Sequence, residues 1–371
     1  MQARRCRRRA QRGTGDAVLR GMAFRKRRSP VLFSAAALVA AALARTAFRA
    51  LRQLDLRGRV VVITGGSRGL GLLLAEEFGR HGARVAIAGR DAEALYRAEQ
   101  RLQALGVEVH AAACDLGDRS AAEAFIDGVA RAFGRIDVLV NNAGVIQVAP
   151  MQDLRVEELD EAMRSNFWSA VHATLRALPH LRRQGRAARI VNVVSIGGRV
   201  AVPHLLGYNA SKFAMMGFSE SVQAELTHGG ARGPRVTTVI PGPMRTGSIY
   251  NATFGGSPQH EFGWFGLASS LPIATIDARR AARRVVAAAR EGRAEVKLGL
   301  SSHLLSWAHG IAPQATVRLM GLINALLPPP GGGEGTTRGR DLRTPAQGSV
   351  LLRLSNEAAR RNNEAPPEAA R

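Results

Sequence analysis

The chain has little lysine, tyrosine or cysteine. Over 371 residues it uses arginine almost everywhere; Lys26, Lys212 and Lys297 are its lysines, and Tyr96, Tyr208 and Tyr250 its tyrosines. Cys6 and Cys114 are its two cysteines. One falls in a basic arm and the other at an expected strand end, which excludes a disulfide framework and makes a reducing compartment the default. No Cys/His spacing resembles a metal site, so no metal is expected. Acids are scarce as well: 29 Asp and Glu against 52 Lys and Arg give a formal charge of +23.

Against that background, a rare tyrosine precedes a rare lysine in Tyr208-Asn209-Ala210-Ser211-Lys212. Four residues apart, the two lie on one face of a helix, one turn from each other. An ammonium held beside a phenol favours the phenolate, which suits the phenol to proton exchange with a carbonyl oxygen. Arginine is no substitute, because a guanidinium is planar and larger than a compact ammonium. Ser195, thirteen residues upstream, can hold the same oxygen.

The second signal is Thr64-Gly65-Gly66-Ser67-Arg68-Gly69-Leu70-Gly71. It lies between a β-branched strand, 59–63, and an amphipathic helix that runs to about Gly79. Strand, glycine-rich turn and helix together make a dinucleotide pocket, with the pyrophosphate facing the helix N-terminus. A second strand, 84–88, ends at Gly89-Arg90-Asp91. Arg68 and Arg90, with no carboxylate at the strand end, favour a 2′-phosphate and hence NADP over NAD. Asp91 comes one residue late and belongs either to that subsite or to the N-terminus of the next helix.

Further elements alternate. Helices are expected at 92–105, 119–133, 157–183, after Tyr208 and at 277–291; strands at 107–113, 136–140, 189–194, 235–240 and 294–298. Asp115, at a strand end, is placed to bond an adenine amine. Asn141-Asn142-Ala143-Gly144 closes 136–140, its small residues giving the cofactor room and its amides tying neighbouring strands together. Asn166 sits inside a helix, where asparagine is disfavoured; it either bonds backbone and bends the helix or holds a water. Pro241-Gly242 and Thr246 follow 235–240. The alternation predicts an α/β fold, a doubly wound, mostly parallel sheet of about seven strands, with ligands at the carboxyl ends of the strands.

Outside this core, residues 1–30 are a basic arm with eleven Arg or Lys against Asp16. Such an arm suits anionic lipid or nucleic acid, but nothing after it resembles a nucleic-acid-binding motif. It also fits a topology flank, or an untranslated stretch if Met22 is the start. Residues 31–52 open with a run of fourteen uncharged residues, 31–44, short of the roughly twenty that span a bilayer. A short anchor, an interfacial helix and an export signal all fit it. The need for a cytosolic cofactor pool favours membrane association on the cytoplasmic side. Residues 247–275 read as an aromatic, loop-like substrate lid or a packing flap. Residues 301–327 read as apolar helices broken at Pro313, and 328–371 as a flexible linker and disordered polar tail.

Taken together, Thr64, Gly65, Gly69 and Gly71, the run Asn141 to Gly144, Ser195, Tyr208, Lys212, Pro241 and Gly242 resemble the short-chain dehydrogenase/reductase family, over roughly residues 55–300. The resemblance implies a single-domain Rossmann oxidoreductase acting on an alcohol or carbonyl. It makes Tyr208 the general acid/base, Lys212 its pKa-lowering partner and a ribose ligand, and Ser195 the group that orients the carbonyl. Asn166 completes a proton relay through water. Ser67, Arg68, Leu70, Arg90, Asp115, Asn142, Ala143 and Gly144 join the glycines around the cofactor, and Thr246 contacts the nicotinamide amide. A homo-oligomer is common in the family, and an apolar leader resembles that of membrane-anchored members acting on lipids. The substrate expected is a small, hydrophobic carbonyl or alcohol. The competing reading is a catalytically idle NADP-binding scaffold or redox sensor.

Overall fold

A computed structural model describes residues 53–228, 233–270, 275–333, 335–342 and 352–364. The segment 31–52, for which membrane contact is expected, lies outside the described residues. Among the described residues, no helix is long and apolar enough to cross a membrane.

Seven strands form one parallel sheet: β1 (Val60–Thr64), β2 (Arg84–Gly89), β3 (Val109–Ala113), β4 (Val138–Asn141), β5 (Arg189–Val193), β6 (Arg235–Pro241) and β7 (Glu295–Leu298). Their order across the sheet is β3-β2-β1-β4-β5-β6-β7. The order reverses direction between β1 and β4, and that switch opens a crevice at the carboxyl ends of the strands. The apolar runs of β1, β2 and β4 make both faces of these central strands apolar, as burial between two helical layers requires. Val61, Ile63, Val85, Ile87, Val138 and Val140 point to one layer. Val60, Val62, Ala86, Ala88 and Leu139 point to the other. The alternation follows from the two-residue period of a strand.

The first layer holds α1 (Gly69–Arg80), α2 (Ala92–Ala104) and, further along the chain, Ala278–Glu291. The second holds α3 (Arg119–Phe133), the composite helix that begins at α4 (Val156–Met163) and ends in α5 (Ser169–Gln184), and α6 (Leu206–His228). The turn joining α4 to α5, Arg164–Trp168, is a π-helix centred on Asn166. The chain therefore bends at the asparagine that the sequence marked as out of place in a helix.

Two stretches differ from expectation. Residues 247–275 are not mainly loop: they contain α7 (Pro258–Ser270), which buries Phe262 and Glu261. Glu261 accepts from Trp264 Nε1 (2.6 Å) and lies 2.9 Å from His204 Nδ1, which pins this helix to the segment before Tyr208. Aromatic side chains spaced for a helix pack against Val148, Ile249 and Phe254 instead of lining open loop. After α8 (Ala278–Glu291) come α9 (Leu300–Ile311) and α10 (Pro313–Asn324), which leave Leu304, Trp307, Leu319 and Leu322 exposed. The stretch expected as linker and disordered tail supplies Thr337–Arg338, paired to Thr253–Phe254, and a helix, α11 (Arg353–Arg361). Ser355, Ala358 and Ala359 of α11 are buried along one stripe, so its polar composition conceals a packing face.

Beneath β4, Asp137 is fully buried and accepts from Arg59 Nη1 (2.8 Å), Arg135 Nε (2.8 Å) and the Val60 amide (2.9 Å). Burial pushes its carboxyl up, but the bonds from Arg135, Val60 and Arg59 outweigh it and hold the group below its ordinary range. With a folded pKa below the unfolded value, its contribution is present above about pH 4 and is lost as pH falls further. Asp137→Ala should cost about 3 kcal/mol at pH 7 in urea unfolding, with the gap from wild type narrowing toward pH 3. A pH-independent gap would contradict this account.

Candidate active site

The crevice between β1 and β4 is closed by one set of bonds. Thr64 Oγ1, at the end of β1, accepts from the amides of Asn142 (2.9 Å) and Ala143 (3.0 Å). Asn142 Nδ2 donates to the Thr64 and Gly65 carbonyls, at 3.1 and 3.0 Å. Asn141 Nδ2 bonds Thr174 Oγ1 and Asn192 Oδ1, both at 2.8 Å, joining β4 to β5 and α5. The asparagine amides thus tie strands together.

The glycine-rich turn is compressed against this knot. Gly65 has φ +66°, and a Cβ there would stand 2.9 Å from Ala143 Cα; one on Gly71 would stand 2.0 Å from the Gly65 carbonyl. Any side chain would push the turn off the strand ends. With the turn so close, the first amides of α1 face the crevice, which fits a pyrophosphate.

A cavity of about 1000 Å³ runs along these strand ends. Of the residues singled out by sequence, Gly65, Ser67, Arg68, Gly69, Leu70 and Gly71 line its floor. Arg90 and Asp115 line one end, Asn142, Ala143 and Gly144 the middle, and Ser195, Tyr208, Lys212, Pro241, Gly242 and Thr246 the other end. Thr64 and Asn166 stand behind the wall. Asn166 Oδ1 accepts from the Val145 amide (2.6 Å), and its Nδ2 donates to Ser211 Oγ (2.8 Å) and the Val145 carbonyl (3.1 Å). Of the two alternatives for this residue, the bonds to the Val145 backbone at the π-turn are the first.

Ser195 caps a short turn after β5, its Oγ accepting from the Gly197 amide at 3.0 Å. Lys212 Nζ lies 5.8 Å from the Tyr208 ring centroid and donates to the Val193 carbonyl at 3.2 Å. Burial pushes the Tyr208 phenol up, and the neighbouring Ser195 hydroxyl pulls it back. Burial lowers the Lys212 ammonium to about 8. Gly144 keeps this corner open: a Cβ there would stand 2.7 Å from Asn166 Oδ1 and 3.4 Å from Lys212 Nζ.

At the other end, Asp91 caps α2, its Oδ1 accepting from the Ala94 amide at 3.0 Å. Its second oxygen lies 3.6 Å from Arg68. Arg90 donates to Glu161 (2.8 Å), and Arg164 bonds both Glu161 and Asp115. Asp115 also accepts from the Gly117 amide at 3.0 Å. Sequence reasoning missed Glu161, Glu261, Arg340 and Glu364, all beside the cavity or its lid. They carry no local motif, and the chain brings them in from distant segments.

A family model described as short chain dehydrogenase matches residues 59–253. The Mycobacterium tuberculosis protein SadH is 33% identical over 247 residues, covering 66% of this chain and 87% of its own. Gluconate 5-dehydrogenase of Gluconobacter oxydans is 34% identical over 195 residues, 52% of this chain and 73% of its own. Among solved structures, a short chain dehydrogenase from Burkholderia cenocepacia in complex with NADP superposes with a TM-score of 0.58 at 29% identity, over 67% of this chain and 99% of its own. The chain belongs to the short-chain dehydrogenase family. It is accordingly an NAD(P)-dependent oxidoreductase acting on CH–OH groups.

Because the folded pKa of Lys212 lies below its free value of 10.5, the folded chain binds fewer protons than the unfolded one between about pH 8 and 10.5. Stability from this residue therefore rises with pH across that window. Lys212→Met should raise unfolding stability at pH 7 by on the order of 1–3 kcal/mol and flatten the rise between pH 8 and 10. A variant less stable than wild type at pH 7 would refute this.

Proposed function

We propose that the protein is an NADP-dependent oxidoreductase that interconverts a hydrophobic alcohol and its carbonyl, with Tyr208 as general acid/base. The observation that carries this reading is that Ser195, Tyr208 and Lys212 together line one end of a cavity continuous with the glycine-rich turn, with Lys212 Nζ 5.8 Å from the Tyr208 ring centroid. A nicotinamide bound at that end supplies or takes up the hydride. In the reducing direction, Ser195 and Tyr208 hold the carbonyl oxygen, and Tyr208 gives it a proton as the carbon is reduced. The phenolate left behind is stabilised by the Lys212 ammonium and regains a proton from solvent. Asn166 Oδ1 and Lys212 Nζ share Gly144 as a neighbour, which supports a relay through water.

Arg68 and Arg90 support NADP over NAD: both guanidiniums stand beside the end of β2, where Asp91 uses one oxygen to cap α2 and turns the other toward Arg68. Arg68 would hold the 2′-phosphate more directly, since Arg90 is already bonded to Glu161. The side of the cavity facing Tyr208 is lined by Ile146, Val202, Leu205, Met244, Trp264 and Phe265, which supports an apolar substrate.

The test is NADPH oxidation over a panel of ketones, aldehydes, steroids and quinones. Tyr208→Phe should lower kcat by about 10²–10⁴-fold while NADPH binding persists. Undiminished turnover in that variant would end the assignment. NADPH binding by wild type without turnover of any carbonyl would favour the idle scaffold. Arg68→Ala should raise the KM for NADPH about 10- to 100-fold and leave that for NADH within about twofold; an equal rise in both would remove the basis for NADP preference.

A further inference from the structure

The floor of the cofactor groove is already in contact with the protein's own C-terminal segment. Helix α11 packs on the far side of the crevice, with Ala359 seated on Gly247: a Cβ on that glycine would stand 2.4 Å from Ala359 Cα. From there the chain crosses the groove in three residues. Asn362 Nδ2 donates to the Thr246 carbonyl (3.0 Å), and the Gly69 amide donates to the Asn362 carbonyl (2.8 Å). Asn363 Nδ2 donates to the carbonyls of Ser67 and Ala94, both at 2.8 Å, and its Oδ1 accepts from Arg97 Nε at 2.9 Å. Asn251 Nδ2 donates to the Glu364 carbonyl at 3.0 Å. The segment thus bridges the turn after β1, the helix after β2 and the loop after β6, the same three walls that a dinucleotide spans.

Glu364 supplies the chemical point. The residue is 7% exposed, and its Oε1 lies 2.1 Å from where a Cβ on Gly69 would be, at the N-terminus of α1 and beside Arg68. An anion is what the positive end of a helix attracts. The carboxyl is nevertheless a poor ligand there. Its Oε2 is buried with no hydrogen-bond partner, and burial pushes its pKa up to about 8. A buried polar atom left unpaired costs free energy, and a group with more acceptor oxygens would use the α1 amides better.

We propose that Asn362–Glu364 is an internal occupant of the pyrophosphate subsite, with the Glu364 carboxyl group in the place of a phosphate, and that the dinucleotide binds by displacing it. The proposal rests on the cofactor reading above. It makes cofactor affinity a competition: a segment docked nine-tenths of the time weakens apparent binding tenfold. Displacement would also detach α11 from Gly247 and from Asn356's partner, Tyr250, on the segment leading to α7. Cofactor binding would therefore loosen a wall of the substrate pocket.

The experiment uses the full chain, a chain ending at Arg361 and the double variant Asn363→Ala/Glu364→Ala. NADPH affinity is read by fluorescence titration, and hydrogen exchange of residues 353–364 with and without saturating NADPH. The expected result is binding at least about tenfold tighter in both variants, and faster exchange of 353–364 in the full chain when NADPH is present. Equal or weaker binding in the variants, or slower exchange of the segment with NADPH, would overturn the proposal and make the segment a wall over the bound cofactor. The exchange measurement needs no variant, so it decides the matter even where a variant fails to fold. Binding of neither NADPH nor NADH by any of the three chains would instead overturn the cofactor reading, and the proposal with it.

Discussion

The bonds between Thr64 and Asn142 hold the site together. One hydroxyl accepts two successive amides and one side-chain amide donates to two successive carbonyls, across strands 78 residues apart in the chain. These bonds fix how far the turn after β1 stands from the turn after β4. That distance sets the width of the crevice and places Gly144 in front of Lys212. Gly65 and Gly71 have no side chains because the knot leaves no room for any. The corner around Gly144 and Lys212 and the glycine-rich floor are thus two consequences of one short-range arrangement at the switch in strand order.

The site also carries costs that a purely structural core would avoid. Lys212 is buried with the Val193 carbonyl as its acceptor, and Gly144 gives up side-chain packing to keep space before it. The π-turn at Asn166 interrupts an otherwise regular helix, and its side chain is spent on holding the Val145 backbone. Wide helical turns of this kind persist where the surroundings over-determine them, often at functional sites.

Most of this was legible in the sequence because the signals were local. The β-branched runs found the strands of the main sheet, since strands buried on both faces need no partner to announce themselves. The Thr64–Gly71 turn, Ser195 and the Tyr208–Lys212 spacing are contiguous or nearly so. Asn166 stood out through low helix propensity alone. What escaped was long-range. The sequence of helix α7 resembles a loop because its glycines, serines and aromatics lack a clear polar stripe; its burial depends on the His204–Glu261–Trp264 contacts, which no window of sequence contains. Helix α11 was read as tail because arginine, asparagine and glutamate dominate it. Its stripe of Ser355, Ala358 and Ala359 becomes a packing face only beside Gly247 and Ser270.

The position of that last segment also bears on the order in which the molecule is made. The glycine-rich turn, the β4 turn, Tyr208, Lys212 and Thr246 are all synthesised before Glu364, which follows Thr246 by about 120 residues. At translation rates of about 5–20 residues per second, Glu364 is added on the order of 6–24 s after Thr246. The carboxyl group that sits at Gly69 therefore comes from almost the last part of the described chain, and every other residue named at the strand ends precedes it in synthesis.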